Sequence, residues 1–196
     1  PLLRKDIHHL VRQLSSMDME VALTTNGSLL ENNAADLAES GLSRVTISLD
    51  AIDQEVHTKI TDSKVSVTDI LDGISAAIRY ELGPVKINCV VQRGVNEHQI
   101  PKLVRKFRGT GVIVRFIEFM DVGTLNHWKK DEVVTGKEIV ERISAEIPLE
   151  PADANYRGEV ASRYRYADGG GEIGVITSVS SPFCGDCTRA RLTVEG

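Results

Sequence analysis

Two cysteines near the end of the chain form the pattern with the clearest chemical meaning. Cys184 and Cys187 are separated by two residues, and Arg189 and Arg191 follow directly. Thiolates at this spacing are typical of a zinc site, an iron–sulfur site or a redox dithiol. If the arginines lie on a strand, they share one face, where two guanidinium groups can bind phosphate or carboxylate. The segment therefore combines part of a metal site with an anion-binding pair, and the spacing alone leaves the metal open.

The composition limits the classes of partner. The chain has 196 residues, 41% of them hydrophobic, and a formal net charge of −5. The hydrophobic residues are sufficient to form one core. A mildly acidic chain is not expected to bind nucleic acid. No segment approaches the roughly 18 apolar residues of a membrane span, so no membrane partner is expected. The third cysteine, Cys89, stands alone in an apolar segment, which argues against a secreted disulfide framework and predicts a cytoplasmic protein.

The elements that must position these residues alternate between helix and strand. Strands are predicted at 20–25, 44–49, 85–91 and 112–119, with helices between them up to residue 147. This order indicates an α/β fold with a parallel sheet, and four strands make only a partial TIM-type barrel. After Pro148, strands at 159–166 and 172–177 are predicted to form a hairpin. We therefore predict a partial barrel of about four βα units at 1–147 and a C-terminal β-hairpin extension at 148–196.

Polar residues mark the ends and one face of the predicted strands. Ligands of parallel sheets bind at the carboxyl ends of the strands, where this chain has polar segments at 24–26, 48–50, 92–93 and 118–120. Lys86 and Asn88 share a face of an otherwise apolar strand. A buried ammonium group there would need an anionic partner, although Lys86 could instead extend to solvent. Arg115 is predicted to point inward and Glu118 to the opposite face.

Several stretches of the sequence, taken in order, resemble those of a known family. The stretches are 23–27, 45–52, 85–91, 114–123, 174–180 and 183–191. They look like the molybdenum cofactor biosynthesis protein A family, the GTP 3′,8-cyclases of the radical-SAM superfamily. The resemblance implies an incomplete barrel that binds S-adenosyl-L-methionine (SAM) and 4Fe-4S clusters, one reducing SAM to release a radical and one binding GTP. It also implies conversion of GTP to (8S)-3′,8-cyclo-7,8-dihydroguanosine 5′-triphosphate in molybdopterin biosynthesis.

The resemblance assigns roles to individual residues. Cys184 and Cys187 correspond to two of the three ligands of the GTP-side 4Fe-4S cluster, and no catalytic side chain is assigned. Ser48 and Met120 correspond to residues at SAM. The positions that correspond to GTP-binding residues are Thr24, Lys86, Arg189, Ala190 and Arg191. The family further implies a homodimer and a functional link to the next enzyme of the molybdopterin pathway.

The chain departs from the family pattern at both ends. The cysteines of the SAM cluster and the third GTP-side cysteine are not in this sequence. We therefore expect the chain to be part of a longer protein, which is the enzyme, and to be inactive alone. Two alternatives stay open. One is another radical-SAM enzyme with an auxiliary cluster, and the other is a zinc-binding barrel module without enzymatic activity.

Overall fold

Seven strands form a single sheet in a computed structural model that describes residues 2–123, 128–182, 190 and 192. The sheet order is β1-β2-β3-β4-β7-β6-β5. The strands are β1 (Ala22–Thr25), β2 (Arg44–Ser48), β3 (Lys86–Val91), β4 (Ile113–Glu118), β5 (Leu149–Ala152), β6 (Ser162–Tyr166) and β7 (Glu172–Ile176). The helices are α1 (Ile7–Ser15), α2 (Ala34–Glu39), α3 (Gln54–Thr61), α4 (Val67–Arg79), α5 (Ile100–Phe107) and α6 (Gly136–Ser144). Short 3-10 turns cover Glu97–Gln99 and Lys130–Glu132.

The strand directions confirm the predicted α/β class. β1 to β4 pair in parallel with their neighbours, as expected for strands separated by helices. β6 and β7 form the predicted antiparallel hairpin, but β7 also pairs in parallel with β4. The hairpin is therefore continuous with the parallel sheet. Sequence analysis did not predict β5, which is short, contains Pro151 and lies at an end of the sheet, where proline is tolerated.

The core lies on one side of the strands because their side chains alternate. In β3 and β4, alternate residues from Ile87 and Val114 onward are buried, and the residues between them are partly exposed. Ile47, Ile87 and Phe116 are each completely buried. The other face keeps the polar residues of the strands. No helix in the described part of the chain is long and apolar enough to cross a membrane.

The start of α6 is held by a reciprocal capping box. The Thr135 hydroxyl accepts a hydrogen bond from the Glu138 amide, and the Glu138 carboxylate accepts one from the Thr135 amide. These bonds satisfy donors that would otherwise lack partners at a helix end. This carboxylate also contacts Arg93, and the amide and guanidinium donors lower the pKa of Glu138 to about 2.

Thr135→Ala is expected to lower the free energy of unfolding by about 1 kcal/mol, because it removes the side-chain cap. Urea unfolding followed by circular dichroism measures the change. Glu141→Ala on the exposed side of α6 is the control and is expected to change stability by less than about 0.5 kcal/mol. Equal effects of the two substitutions would contradict a stabilising role for the cap.

Candidate functional site

Three of the residues assigned from sequence lie on one face of the sheet. Thr24 in β1 pairs with Thr46 in β2, and Thr46 pairs with Lys86 in β3. One step further along, Ser48 pairs with Asn88. Side chains of directly paired residues point to the same face, and alternate residues of a strand do so too. Thr24, Ser48 and Lys86 therefore share the partly exposed polar face, as predicted for Lys86 and Asn88.

Arg115 lies at the centre of this polar face, as its position in the strand predicts. Its Nε donates to Asn88 Oδ1 at 2.9 Å, and its Nη2 donates to Thr46 Oγ1 at 3.3 Å. The neighbouring β7 residue is Gly174, where an added Cβ would lie 3.0 Å from Arg115 Cγ. The lack of a side chain at Gly174 leaves room for the arginine stem. Two neutral acceptors orient the guanidinium group, which has no carboxylate within ion-pair distance among residues 2–123 and 128–182.

Lys86 and Arg115 lack acidic partners, unlike other cations of the same face. Neither has a carboxylate oxygen within 4.0 Å among residues 2–123 and 128–182, whereas Arg44 pairs with Glu20 and Arg163 with Glu172. Burial, followed by the nearby positive charges of Arg115 and Arg44, lowers the pKa of Lys86. Burial likewise lowers the pKa of Arg115. An anion bound between the two cations would relieve both the repulsion and the desolvation.

The polar face continues toward the end of the chain. Gly174 pairs with Arg163 in β6, so the row from Ser48 extends across five strands. Arg163 lines a cavity of about 580 Å³ together with Glu159, Tyr164 and Ser181. This cavity lies beside the segment 177–182, which leads toward Cys184. A cavity of this volume is within the range of small-molecule binding sites.

Met120 lies in a different cavity, just beyond the carboxyl end of β4. It is 43% exposed and shares a cavity of about 360 Å³ with Asp50, Val90 and Ile117. Asp50 lines this cavity, whereas Ser48, two residues earlier in the chain, is not among its described lining residues. The structure therefore places Met120 with Asp50 and places Ser48 with the polar face.

Asp50 is a partly buried carboxyl group that was noted from the sequence only as the end of a strand. Its Oδ1 accepts a hydrogen bond from the Val90 amide at 2.7 Å. Asn96 fixes the same corner, since its Nδ2 donates to the carbonyl groups of Asp50 and Val90 at 2.8 Å each. Burial outweighs the Val90 hydrogen bond and raises the pKa of Asp50 to about 6. The cavity beside Met120 thus has a carboxyl group that titrates near neutral pH.

Glu118 is a second residue of interest, which the sequence placed at a strand end without giving it a role. It points away from Arg115, as predicted, and is completely buried. Its position in the alternating pattern of the strand was a signal in the sequence that Glu118 has a specific role, because a buried carboxylate needs several hydrogen-bond donors nearby. Which donors it contacts could not be read from the sequence.

The C-terminal site residues fall mostly outside the described part of the chain. Cys184, Cys187, Arg189 and Arg191 are outside the described residues, and Ala190 is exposed. Cys89 is described and buried on the core side of β3, where burial raises the pKa of its thiol well above the ordinary value. A buried, protonated thiol is an inert core residue and not a metal ligand.

Two families match successive parts of the chain. Residues 1–107 match the radical SAM superfamily, and residues 112–196 match the family described as Molybdenum Cofactor Synthesis C. The first match covers more than half of the chain. The chain therefore belongs to the radical SAM superfamily, whose members in general use a 4Fe-4S cluster and SAM.

Curated relatives match along the whole chain. A protein of Xanthomonas axonopodis pv. citri named GTP 3′,8-cyclase is 50% identical over 198 aligned residues, and one of the same name from Acidothermus cellulolyticus is 46% identical. Both alignments cover 100% of this chain, but only 59% and 55% of the respective relatives. The chain thus spans somewhat more than half the length of the curated relatives it matches.

A solved structure agrees on the fold. A domain of a pyruvate-formate lyase-activating enzyme from Bacteroides vulgatus aligns with a TM-score of 0.52 at 15% sequence identity. The alignment covers 71% of this chain and 84% of that domain. The fold class predicted from the sequence, a partial barrel of the radical-SAM type, is confirmed at this level.

Proposed function

We propose that this chain is the central and C-terminal part of a GTP 3′,8-cyclase of molybdenum cofactor biosynthesis. The observation that carries the proposal is a pair of cations, Lys86 and Arg115, that share a polar face built from strands β1 to β4 and have no ion-pair partner in the described part of the chain. An anion of high charge density fits between them, and a triphosphate has that chemistry. The names of the relatives, GTP 3′,8-cyclase, support a guanine nucleotide as the source of the phosphates.

In this proposal each assigned residue keeps the role expected from the sequence. Lys86 and Arg115 hold the phosphates, with Thr24 at the margin of the same face, and Ser48 and Met120 contact SAM. The GTP-side residues near the end of the chain are Arg189, Ala190 and Arg191, with Cys184 and Cys187 as ligands of a second 4Fe-4S cluster. When bound, SAM and its cluster supply the radical chemistry. The chain's own residues bind and orient the nucleotide for that chemistry.

The remaining expectations belong to the same proposal. They include two clusters in the whole protein, a homodimer, cytoplasmic localisation and a link to the next molybdopterin-pathway enzyme. The division at residue 147 also stays a prediction. Because β4 and β7 pair directly, the two proposed parts contribute neighbouring strands to one sheet. A ligand on the polar face would therefore contact both parts.

Nucleotide selectivity tests the proposal in the full-length protein. We expect GTP to bind more tightly than ATP, and Arg189→Ala with Arg191→Ala to weaken GTP binding and reduce the preference. Equilibrium competition under anaerobic conditions measures both. The matched control is Arg12→Ala with Arg79→Ala, which removes the same charge from exposed positions. The assignment would be refuted if the protein bound GTP and ATP equally well and if Arg189→Ala with Arg191→Ala left both affinities unchanged.

Metal analysis separates the proposal from the zinc alternative. Anaerobically purified full-length protein is expected to contain iron and sulfide, because Cys184 and Cys187 are assigned to a cluster. Zinc bound to these cysteines in place of iron would favour a structural module. Replacing both cysteines with serine is expected to remove about half of the iron if the protein holds two clusters of equal size.

A further inference from the structure

The carboxylate of Glu118 lies where three segments of the chain meet. Glu118 ends β4, and its Oε1 accepts a hydrogen bond from the amide of Gly136, the first residue of α6, at 2.7 Å. Its Oε2 accepts bonds from the amides of Val179 and Ser180 at 2.8 and 2.7 Å. The Ser180 hydroxyl donates to Oε1 as well. One side chain thus connects β4, the start of α6 and the segment that follows β7.

The carboxylate is ionised although no cation neutralises it. In the described part of the chain, no basic side chain lies within 4.0 Å of Glu118. Burial opposes its ionisation, but the hydrogen bonds from Ser180, Gly136 and Val179 outweigh burial and lower the pKa of Glu118. A carboxylate that accepts several backbone amides is held in one orientation and holds its donors in return.

The packing around this carboxylate leaves little freedom. A Cβ added at Gly136 would lie 2.6 Å from Thr177 Cγ2, so α6 approaches the chain after β7 as closely as glycine allows. The Thr177 hydroxyl donates to the Ser181 carbonyl at 2.9 Å, which closes the turn on itself. The segment 177–182 is therefore fixed both internally and against Glu118.

The fixed segment precedes the cysteines that are proposed as cluster ligands. Ser180 precedes Cys184 by four residues, and Arg115 precedes Glu118 by three on the same strand. We propose that Glu118 is a positioning residue that ties the segment 177–182 to β4. It thereby fixes the segment from which the chain continues to Cys184 and Cys187. The inference rests on the proposed function, since it assumes that these cysteines bind a cluster beside the phosphate site.

Two variants of the full-length protein test this role. In Glu118→Gln an amide group replaces one acceptor, so at least one of the donors from Gly136, Val179 and Ser180 loses its partner. Ser180→Ala removes one donor at an exposed position and is not expected to disturb folding. The matched controls are Glu141→Gln, on the exposed side of α6, and Ser178→Ala, in the same segment. Iron per chain, GTP affinity, SAM affinity and unfolding temperature are measured after anaerobic reconstitution.

We expect Glu118→Gln to lower the iron content and to raise the Kd for GTP at least about tenfold, because small displacements of a site residue are costly. SAM affinity is expected to fall by less than GTP affinity, because Glu118 also lines the cavity of Met120. Ser180→Ala is expected to shift iron and GTP affinity in the same direction by less, and both controls are expected to match the wild type. Iron and GTP values equal to the controls would overturn the inference. Parallel losses of GTP and SAM affinity with a lower unfolding temperature would also overturn it, since they indicate a general structural role.

If Glu118→Gln fails to fold, the iron content and GTP affinity of Ser180→Ala test the inference in its place. A failure of the proposed function can be distinguished from a failure of this inference, because the wild-type protein itself would then show no preference for GTP over ATP. In that case the iron content of the variants still tests whether Glu118 positions the cysteines. Normal iron in both variants would then refute the positioning role separately.

Discussion

Full-length protein carrying Lys86→Met and Arg115→Met is expected to bind GTP at least about a hundredfold more weakly than the wild type. Hydrogen bonds between ionised groups contribute about 1.5–3 kcal/mol each, and 1.4 kcal/mol corresponds to a tenfold change in affinity. Removing two such contacts to phosphate therefore accounts for the expected loss. Affinity for SAM, whose proposed contacts are Ser48 and Met120, is expected to change little.

The same double variant is expected to unfold at an unchanged or higher temperature. Both cations are partly buried without acidic partners, and each lowers the stability of the folded state through desolvation and mutual repulsion. Because the pKa of Lys86 is lowered on folding, the unfolded chain binds more protons, and this penalty diminishes as pH rises above the lowered pKa. Methionine retains the apolar stem while removing the charge.

Calorimetric titration with GTP and thermal unfolding measure these two effects. The matched control is Lys59→Met with Arg79→Met, which removes the same charge from exposed helix positions. The control is expected to bind GTP as the wild type does. A double variant that retains GTP affinity would refute the phosphate site. A loss of affinity accompanied by a lower unfolding temperature would indicate that the two cations support the fold.

Asp50→Asn is expected to raise the free energy of unfolding by roughly 3 kcal/mol at neutral pH. The pKa of Asp50 is raised on folding from 3.8 to about 6, and each pKa unit corresponds to about 1.4 kcal/mol. For a carboxyl group, a raised folded-state pKa means that the folded protein binds the proton more tightly. Stability from this group therefore falls as pH rises from about 4 to about 6, and the full penalty persists above that window.

Urea unfolding at several pH values tests this expectation. The stabilisation by asparagine is expected near pH 7 and should diminish as pH falls toward about 4, where Asp50 is protonated in both states. The asparagine oxygen can still accept the hydrogen bond from Val90. Asp72→Asn, at an exposed position of α4, is the control and is expected to change stability little. A stabilisation that does not depend on pH would contradict the assigned cause.

The loss of folding stability caused by the Asp50 carboxylate is consistent with a role of this residue in binding. The carboxyl group lines the cavity beside Met120, and an apolar or amide side chain would be more stable there. Natural proteins keep such destabilising groups mainly where function needs them. Comparison of SAM affinity between the wild type and Asp50→Asn would show whether this carboxyl group contributes to the second proposed subsite.

Much of the candidate site could be predicted from local patterns. The period of two places Lys86 and Asn88 on one face of β3 and puts Arg115 and Glu118 on opposite faces of β4, and the structure confirms both assignments. That Arg115 shares the face of Asn88 follows only from the strand pairing. The alternation of helices and strands predicted parallel pairing, because successive parallel strands need a crossover between them. These features depend on residues that are close in the chain, so composition and spacing are sufficient to predict them.

Pairings between distant residues could not be predicted in this way. The Arg115–Asn88 bond joins residues 27 apart, and the Glu118–Ser180 bond joins residues 62 apart. A strand pattern identifies which face a side chain occupies, but many donors satisfy the same carboxylate equally well. The order of the sheet, with β7 beside β4, decides which donors reach Glu118. β5 was missed for the same reason, since its short sequence forms a strand only against β6.

The cysteine and arginine pairs near the end of the chain show the same division. Their residue types and spacing indicate metal or redox chemistry at the cysteines and anion binding at the arginines. The segment leading to Cys184 is held by Glu118, a residue 66 positions earlier in the sequence. Local chemistry is therefore encoded at the cysteines, whereas the hold on the segment 177–182 that precedes them depends on a carboxylate distant in the sequence.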